Sequence, residues 1–501
     1  MTLPVLGTAI AEPLTSLADT CFLARLGSTP VASLGIATSI LSGSFWVLNF
    51  IGVGIQTLAA NAEAEGDREL LQKRGATALL MAGLLSIIMA ALLPFLDTIA
   101  ELMGASGELQ ATTVEYMRIR LLGAPAVLVG FAAFGILRGI QDMRTPLYIS
   151  AGINALNIIL DPLMIFGMGP FPEMGVAGAA WASVISQWLG LAWAFTAVRK
   201  KIGFRPALHR PTLMYLLSTG RDMFIRTGSL NVFLALATRT ATLAGDQTAA
   251  AHQAVRQLWF FTALLLDAYA IVGQSLVAYF LGKGDRAMAK KAAAFTMGWS
   301  IASGFFMTGV LLAIKEPASA LLMPPDALKL VSGAWIISCL CQPLNALCFA
   351  TDGVHWGTGD YGFMRNAVVV STAAGIAGLY LIDPEGPDCL ALIWLVCVGT
   401  IISRGILGFL RIWPGFGRAP LRARRDTCCI YSSFSGQDIA SVVRCFSDGP
   451  DSRWRTRSLH DYRQPGRFDS KYPQKLPGHL GKRTRNARAC PPAPGTGPAW
   501  R

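Results

Sequence analysis

Three polar side chains recur at helical spacing inside one apolar stretch of this chain. Asn154, Asn157 and Asp161 occupy positions i, i+3 and i+7 of segment 147–168, so they share one face of a predicted helix. An Asn four residues before an Asp can donate a hydrogen bond to the carboxylate and help it to hold a proton or a desolvated cation. A structural role is the alternative, since Asn side chains commonly bridge helices in membranes.

A second carboxylate, Asp19, lies in the first apolar stretch, residues 3–26, which also contains Pro4 and Pro13. Proline removes a backbone donor and favours a bend in a helix. A carboxylate at membrane depth costs about 2.5–3.5 kcal/mol on insertion scales unless it faces water or a partner. We interpret the segment as a bendable helix whose shape responds to a proton or a cation. Anchoring of the helix end at the membrane interface, close to Arg25, is the alternative.

The composition indicates a polytopic membrane protein. Hydrophobic residues make up 53% of the chain and charged residues 15%, with a mean hydropathy of +0.46. Segment 76–96 has no charge over 21 residues, which is long enough to cross about 30 Å of hydrocarbon as a helix. The apolar stretches predict twelve transmembrane helices, at 3–25, 31–60, 75–96, 112–138, 145–168, 175–198, 212–243, 250–280, 291–314, 328–356, 364–383 and 388–413.

The loops between these stretches alternate in charge. Basic residues cluster around 68–74, 138–144, 199–210 and 283–291, whereas the intervening loops are poor in Lys and Arg and often acidic. Because basic loops remain on the cytoplasmic side, both termini are predicted to be cytoplasmic. We expect an integral protein of the bacterial plasma (inner) membrane.

The sequence also repeats at an offset of 218 positions. The triplet Gly-Asp-Arg occurs at 66–68 and again at 284–286, and the pattern GxxxGxxD begins at Gly135 and again at Gly353. The offset corresponds to six predicted spans, so it indicates two parallel repeats related by an axis along the membrane normal.

The predicted fold class is therefore an all-α polytopic membrane protein with twelve transmembrane helices in two six-helix lobes related by a parallel pseudo-two-fold repeat. The lobes are predicted at 1–198 and 212–413, with a basic cytoplasmic linker at 199–211.

The acids are not repeated between the lobes. Ala237 stands opposite Asp19, and Leu379 stands opposite Asp161 at the same offset. The pair of acids therefore predicts a cation site in the N-terminal lobe.

Residues 414–501 form a basic tail with 17 Lys and Arg against 6 Asp and Glu. The tail has few aliphatic residues, so we predict a disordered cytoplasmic segment. Attraction to anionic lipid is favoured over nucleic-acid binding. A translated frameshift without function is the alternative.

Several further charged residues lie inside predicted spans. Asp267 needs a partner, for which Arg226 and Arg239 are candidates, and Asp222 is predicted to pair with Arg226 at i, i+4. Structural ion pairing and direct contact with a substrate or ion both remain open for these groups.

Several long motifs resemble those of one transporter family, the multidrug and toxic compound extrusion (MATE) family. They read, in order, LADTCFLARLG, FGILRGIQDMRTPLYISAGINALNIILDPLMIFGMGP and GVAGAAWASVISQ. The branch named for DNA-damage-inducible protein F is resembled in particular by the sequences GRDMFIRTGSL, LLLDAYAIVGQSLVAYFLGKGD and PLNALCFATDGVHWGTGDYGFMRNA. The resemblance covers about residues 3–413 and does not include the tail.

The resemblance implies a two-lobe antiporter that exports amphiphilic, often cationic compounds against inward H⁺ or Na⁺. By motif, Asp19 matches the acid of the first helix, and Asn157 and Asp161 match the NxxxD pair of the fifth. Ser183 matches a hydroxyl position of the sixth helix that is usually Thr. Pro4 resembles a proline whose kink is proposed to change with protonation.

We therefore predict a proton-coupled efflux antiporter that works by alternating access. A sodium-coupled version and a lipid-linked precursor flippase of the same superfamily are the alternatives. No HExxH, GxSxG or paired metal ligands occur, so neither an enzyme nor a cofactor beyond the coupling ion is expected. The expected partners are drug-like or cationic small molecules and membrane lipid, with no nucleic acid and a monomeric state.

Overall fold

The computed structural model describes residues 1–322, 328–386, 388–417 and 419–422, together with the backbone of three short strands further along the chain. Two units are distinguished, Met1–Ala423 and Arg424–Arg501.

Helices make up the first unit, and their bounds follow the predicted spans. The first half contains α1 Thr2–Leu23, α2 Ser28–Leu48, α3 Phe50–Glu65, α4 Arg68–Ala90, a 3-10 helix at Leu93–Phe95, α5 Leu96–Leu102, α6 Gly107–Leu121, α7 Ala124–Gly139, α8 Arg144–Ile165 and α9 Gly175–Ile202. The second half contains α10 Arg210–Leu243, α11 Asp246–Gly282, α12 Arg286–Ala313, α13 Lys315–Leu322, α14 Leu328–Leu340, α15 Gln342–Thr358, α16 Tyr361–Tyr380 and α17 Cys389–Ile412.

Eight of the described helical segments are long and apolar enough to cross a bilayer, and two bent pairs bring this number to ten. The helices α6 and α7 meet at 47°, and α14 and α15 meet at 46°. In each bent pair the second helix has a proline as its second residue, Pro125 or Pro343, which supplies no backbone donor at the break. With α1 and α10, these segments correspond one to one to the twelve predicted helices, so the predicted fold class is confirmed for this unit.

Each half of the first unit has its own core. The largest cluster of buried side chains lies in the first half and includes Ile51, Met117 and Ile136, whereas a second cluster in the other half includes Phe233 and Trp335. These separate cores are the two predicted lobes.

The boundaries differ from the predicted ones by a few residues. The helix α9 continues to Ile202, so the non-helical part of the predicted linker is 203–209. At the other end, Leu421 is buried against Val277 and Ile412, so the first unit continues about ten residues into the predicted tail.

The described part of the second unit is an antiparallel sheet in the order β1-β2-β3. The strands are β1 Cys428–Ser432, β2 Ser441–Phe446 and β3 Trp454–Ser458. Cys428 lies opposite Cys445, and Val442 lies opposite Ser458. The sequence does not predict these strands. The rest of the tail lies outside the described residues, so its predicted disorder stays a prediction.

The repeat is visible in the helix caps. The Asp67 side chain accepts a hydrogen bond from Leu70 N at 2.8 Å and caps α4. At the offset of 218, Asp285 accepts from Met288 N at 2.9 Å and caps α12. The matched Gly-Asp-Arg triplets therefore code for the same helix start in each lobe.

The repeated glycines allow equivalent close packing of helices. A Cβ on Gly135 would collide with the carbonyl of Gly52 on α3, and a Cβ on Gly353 would collide with the carbonyl of Ala270 on α11. These two pairs are related by the same offset. The glycines are thus required where α7 crosses α3 and where α15 crosses α11.

Reciprocal hydrogen bonds join the lobes along α3 and α11, and we call this contact the seam. Gln56 Nε2 donates to Ile271 O at 2.8 Å, and Gln274 Nε2 donates to Val53 O at 2.6 Å. The two donors, Gln56 and Gln274, are 218 positions apart, and so are the two acceptors, Val53 and Ile271. Both glutamines are buried, so the seam satisfies groups that would otherwise lack partners.

A second reciprocal pair follows the same rule. Thr57 Oγ1 donates to Trp356 O at 2.8 Å, and Ser275 Oγ donates to Arg138 O at 2.6 Å. Near the ends of α3 and α11, Gly282 lies against the backbone of Asn61. The lobes therefore meet at the face that carries the basic loops.

We expect the double variant Gln56→Leu, Gln274→Leu to destabilise the closed seam. Each lost hydrogen bond is worth about 1 kcal/mol, which gives roughly a 30-fold shift for the pair in a two-state equilibrium. Spin labels at Lys73→Cys and Lys291→Cys, equivalent positions in the two lobes, report the distance by double electron–electron resonance. A longer-distance population should appear.

The matched control is Gln110→Leu, because Gln110 makes an exposed bond to Asp97 O within one lobe. It should leave the distance distribution unchanged. A double variant with the same distribution as this control would show that the seam glutamines do not hold the lobes together.

Candidate functional site

A cavity of about 370 Å³ lies inside the N-terminal lobe. Its lining comes from α1, α2, α6, α7, α8 and α9. The polar side chains that line it include those of Thr15, Asp19, Asn154, Asn157, Ser183 and Gln187. The volume is in the range of pockets that hold small molecules.

The two predicted acids meet at the wall of this cavity. Asp19 on α1 is 7% exposed and Asp161 on α8 is fully buried, and their side chains lie side by side, within 3.2 Å and 3.4 Å of the amide of the same residue, Asn157. Asp19 lines the cavity, whereas Asp161 lies behind it. Two buried carboxyl groups this close interact strongly, so the charge of one depends on the charge of the other.

Asn157 lies between the two acids and can serve either of them. Its amide nitrogen is 3.4 Å from both Asp161 Oδ1 and Ser183 Oγ. With the amide turned the other way, the nitrogen lies 3.2 Å from Asp19 Oδ1, and the oxygen accepts from Ser183 N at 3.3 Å. All four residues of the predicted coupling site are therefore brought together.

Asn154 faces the same side of α8 but has a different partner. Its Oδ1 accepts from Thr15 Oγ1 at 2.8 Å, and its Nδ2 lies 3.4 Å from Ser150 Oγ. Asn154 thus connects α8 to α1 at a point one turn from Asp19 and two turns from Asp161. This contact fits the alternative of a bridge between helices, although Asn154 also lines the cavity.

The two prolines of α1 differ in their effect. Pro13 lies inside the helix, where its missing donor leaves the carbonyl of Ala9 without the usual bond. Pro4 lies in the first turn, where no carbonyl four residues back belongs to the helix. In the described structure, the interruption of α1 therefore lies at Pro13.

From the sequence alone, Arg120 is not among the candidates. It lies on α6, lines the cavity and donates from Nη1 to Gln187 Oε1 at 3.0 Å. It is close enough to interact electrostatically with both Asp19 and Asp161. A charge inside the predicted span 112–138 is the signal that could have found it.

The predicted pair between Asp222 and Arg226 is wrong. Arg226 instead pairs with the buried Asp352 on α15, and Asp222 pairs with Arg365 on α16 at 2.7 Å. The two side chains face different neighbouring helices, although their spacing would allow contact along α10.

Asp267 lies where Arg138 and Arg226 both act on it electrostatically. Arg226 was a predicted partner, whereas Arg138 comes from the other lobe. Arg239 is exposed and is not among the groups that act on Asp267. These residues interact electrostatically and do not line the N-terminal cavity.

A scan against family models matches MatE at residues 4–163 and 227–381, one segment in each lobe. This chain belongs to the MATE family. The first segment contains Asp19, Asn157 and Asp161, so the resemblance of the motifs is confirmed. As a MATE protein, the chain is a transporter and not an enzyme.

Related MATE proteins match over most of this chain. The Arabidopsis thaliana protein DETOXIFICATION 44, chloroplastic, is 30% identical over 409 residues, which cover 78% of this chain and 77% of that protein. DNA damage-inducible protein F of Escherichia coli (strain K12) is 28% identical over 426 residues, which cover 82% of this chain and 90% of that protein.

The fold agrees with solved MATE structures. A crystal structure of MATE in the bent conformation superposes with a TM-score of 0.76 at 20% identity, and the match covers 82% of this chain and 92% of that one. At this identity the comparison shows the fold alone, which is the two-lobe bundle described above.

We expect Asn157→Ala to lower the free energy of unfolding by about 1–3 kcal/mol, because it leaves buried polar groups without a partner. Asn154→Ala, at a partly exposed position, should cost less. Thermal unfolding in detergent compares the two variants. Equal losses would contradict the arrangement in which Asn157 serves both acids.

Proposed function

We propose that this MATE transporter is a secondary active efflux antiporter that exports amphiphilic or cationic small molecules in exchange for protons. The coupling site consists of Asp19, Asn157, Asp161 and Ser183. The observation that carries the proposal is the contact between the Asp19 and Asp161 carboxyl groups at the wall of a cavity.

The position of the acids along their helices fits an outward-facing state. The seam closes the face with the basic loops, which the charge pattern places in the cytoplasm. Asp19 lies 17 residues beyond the start of α1 at Thr2, or about 25 Å along the helix. Protons from outside the cell would therefore reach Asp19 through the cavity while the seam stays shut.

The helix α1 connects the coupling site to the seam. Its outer part carries Asp19, and its first turns pack on α11, where Val5 lies in one buried cluster with Ala268 and Val272. Between them lies Pro13, where the backbone bonding is interrupted. A change of charge at Asp19 that bends α1 would therefore act on a helix of the seam.

Arg120 favours protons over sodium as the coupling ion. Its fixed positive charge acts on both carboxylates, so a bound metal cation would have to compete with it. A proton transferred to a carboxyl group removes a charge instead of adding a second cation. The bias between the two states then comes from the different affinities of each state for proton and substrate.

Asp19→Asn and Asp161→Asn should each lower dye efflux at least tenfold in a strain without other pumps, because neither amide can release a proton. Asp97→Asn is the matched control, since Asp97 is exposed and pairs with Arg118 at 3.1 Å. It should export normally. If both site variants also exported normally, the proposed coupling site would be incorrect.

In proteoliposomes, an imposed pH gradient should drive substrate movement, and a sodium gradient at constant pH should not. Arg120→Gln tests the reason for this selectivity, and it should allow sodium to drive measurable transport. Transport by the unmodified protein on sodium alone would assign the sodium-coupled alternative.

A further inference from the structure

A cluster of charged side chains lies where α10 packs against α16 in the C-terminal lobe. Asp222 is buried, and its Oδ1 accepts hydrogen bonds from Arg221 Nε at 3.0 Å and from Arg221 Nη2 at 2.9 Å. The same oxygen accepts from Arg365 Nη1 at 2.7 Å. The other two nitrogens of Arg365 donate to Asn366 Oδ1, at 3.0 Å from Nε and 2.8 Å from Nη2. We call Arg221, Asp222 and Arg365 the α10–α16 cluster.

The α10–α16 cluster carries more positive than negative charge. Among the described residues, Asp222 is the only acid within salt-bridge distance of either guanidinium group. Asn366 accepts from Arg365 but is neutral, so one carboxylate serves two cations. The Arg221 side chain is 64% exposed and that of Arg365 is 25% exposed. The excess positive charge is therefore accessible from outside the protein.

The surface around Arg221 is apolar. Leu217, Phe224 and Ile225 lie at positions i−4, i+3 and i+4 relative to Arg221, so all four residues share one face of α10. The three apolar side chains are exposed, Phe224 by as much as 62%. An exposed apolar face on a helix of a membrane protein is a surface for lipid. Arg221 is therefore a cation on a lipid-facing surface, where an unpaired charge is costly.

The α10–α16 cluster lies close to the cytoplasmic end of α16. Arg365 is the fifth residue of this helix, which begins at Tyr361, so it lies about 6 Å from the helix start. The loop before α16 is equivalent, at the offset of 218, to the basic loop 138–144 that the charge pattern places in the cytoplasm. Lipid phosphate groups lie close to this level of a bilayer, and a long Arg side chain can extend to reach them.

The packing of the two helices does not require these charges. All three equivalent positions of the N-terminal lobe are apolar, namely Leu3, Pro4 and Leu147. The helix α1 nevertheless packs against α8 there, as α10 packs against α16. Because a buried acid is costly unless its partners offset the loss of hydration, its presence in one lobe only favours a role in binding over a role in packing.

We propose that the α10–α16 cluster binds the phosphate group of an anionic phospholipid in the cytoplasmic leaflet. Arg221 and Arg365 donate charge-assisted hydrogen bonds to the phosphate, and the acyl chains lie along the apolar face that includes Phe224. Asp222 holds the two guanidinium groups side by side and neutralises one of them. The remaining positive charge matches a headgroup with one negative charge, such as that of phosphatidylglycerol. This lipid site does not depend on the proposed function.

The binding test uses the full-length protein in detergent. Dioleoylphosphatidylglycerol should raise the unfolding temperature in a saturable manner, whereas dioleoylphosphatidylcholine, whose headgroup has no net charge, should raise it much less. Sodium phosphate, compared with sodium chloride at the same ionic strength, should have no saturable effect, because free phosphate has no acyl chains to bind the apolar face. Equal effects of the two lipids, or a saturable effect of sodium phosphate alone, would overturn the proposal.

Arg221→Gln removes the excess charge and leaves the ion pair between Asp222 and Arg365 in place. This variant should need at least fivefold more phosphatidylglycerol to reach half of the maximal shift in unfolding temperature. Arg199→Gln is the matched control, because Arg199 is an exposed residue in the last turn of α9 and its loss removes the same charge from the face with the basic loops. The control should bind lipid like the unmodified protein. Equal losses in the two variants would show that only the total charge of this face matters, and would contradict a site at α10 and α16.

Asp222→Asn separates lipid binding from stability. The change leaves two guanidinium groups without an acid, so it should lower the unfolding temperature in detergent alone. It should also tighten the binding of phosphatidylglycerol at least threefold, because the lipid then becomes the only anion for both groups. A general loss of folding would not produce opposite effects on lipid binding in Arg221→Gln and Asp222→Asn. If Asp222→Asn instead weakened binding as Arg221→Gln does, the cluster would be a structural ion pair and the proposal would be wrong.

Discussion

Two carboxyl groups placed side by side inside an apolar lobe are the constraint on which the N-terminal half of the structure depends. Asp19 and Asp161 come from different helices, so α1 must stay packed along α8 to keep them together. Burial of charge there is costly unless partners offset it. Asn157 supplies a donor and Arg120 a positive charge, so neither acid is an isolated buried group.

The seam consists of two equivalent halves, because the sequence repeat places the same kind of side chain on α3 and on α11. Gln56 and Gln274 each reach across to the backbone of the other lobe, and neither bond can form unless α3 and α11 lie side by side. Such bonds form or break together, because a single contact between α3 and α11 carries them all. The helix α1 packs on α8, which carries Asp161, and also on α11, which forms one side of the seam. It therefore links the acid pair to the seam.

Helix positions were predictable because they depend on local patterns, namely apolar length and the offset of 218, whereas the grouping of Asp19 with Asp161 followed from the resemblance of the motifs to the MATE family. The partners of charged side chains were not predictable from such patterns. Whether Arg226 pairs with Asp222 or with Asp352 depends on how three helices are rotated about their axes, and the spacing of residues along one helix does not determine this rotation. Arg120 lies inside a predicted span, which marks it as a candidate, but its position beside the two acids depends on how α6 packs against α1 and α8.

The two lobes share a backbone design but differ in polarity. The positions equivalent to Asp19 and Asp161 are Ala237 and Leu379, both buried in the core of the C-terminal lobe. Conversely, Trp259 and Trp394 correspond to Leu41 and Val176, both buried in the N-terminal core. A duplicated scaffold has thus kept its glycines and caps, while its interior positions diverged toward an acid pair in one lobe and tryptophan side chains in the other.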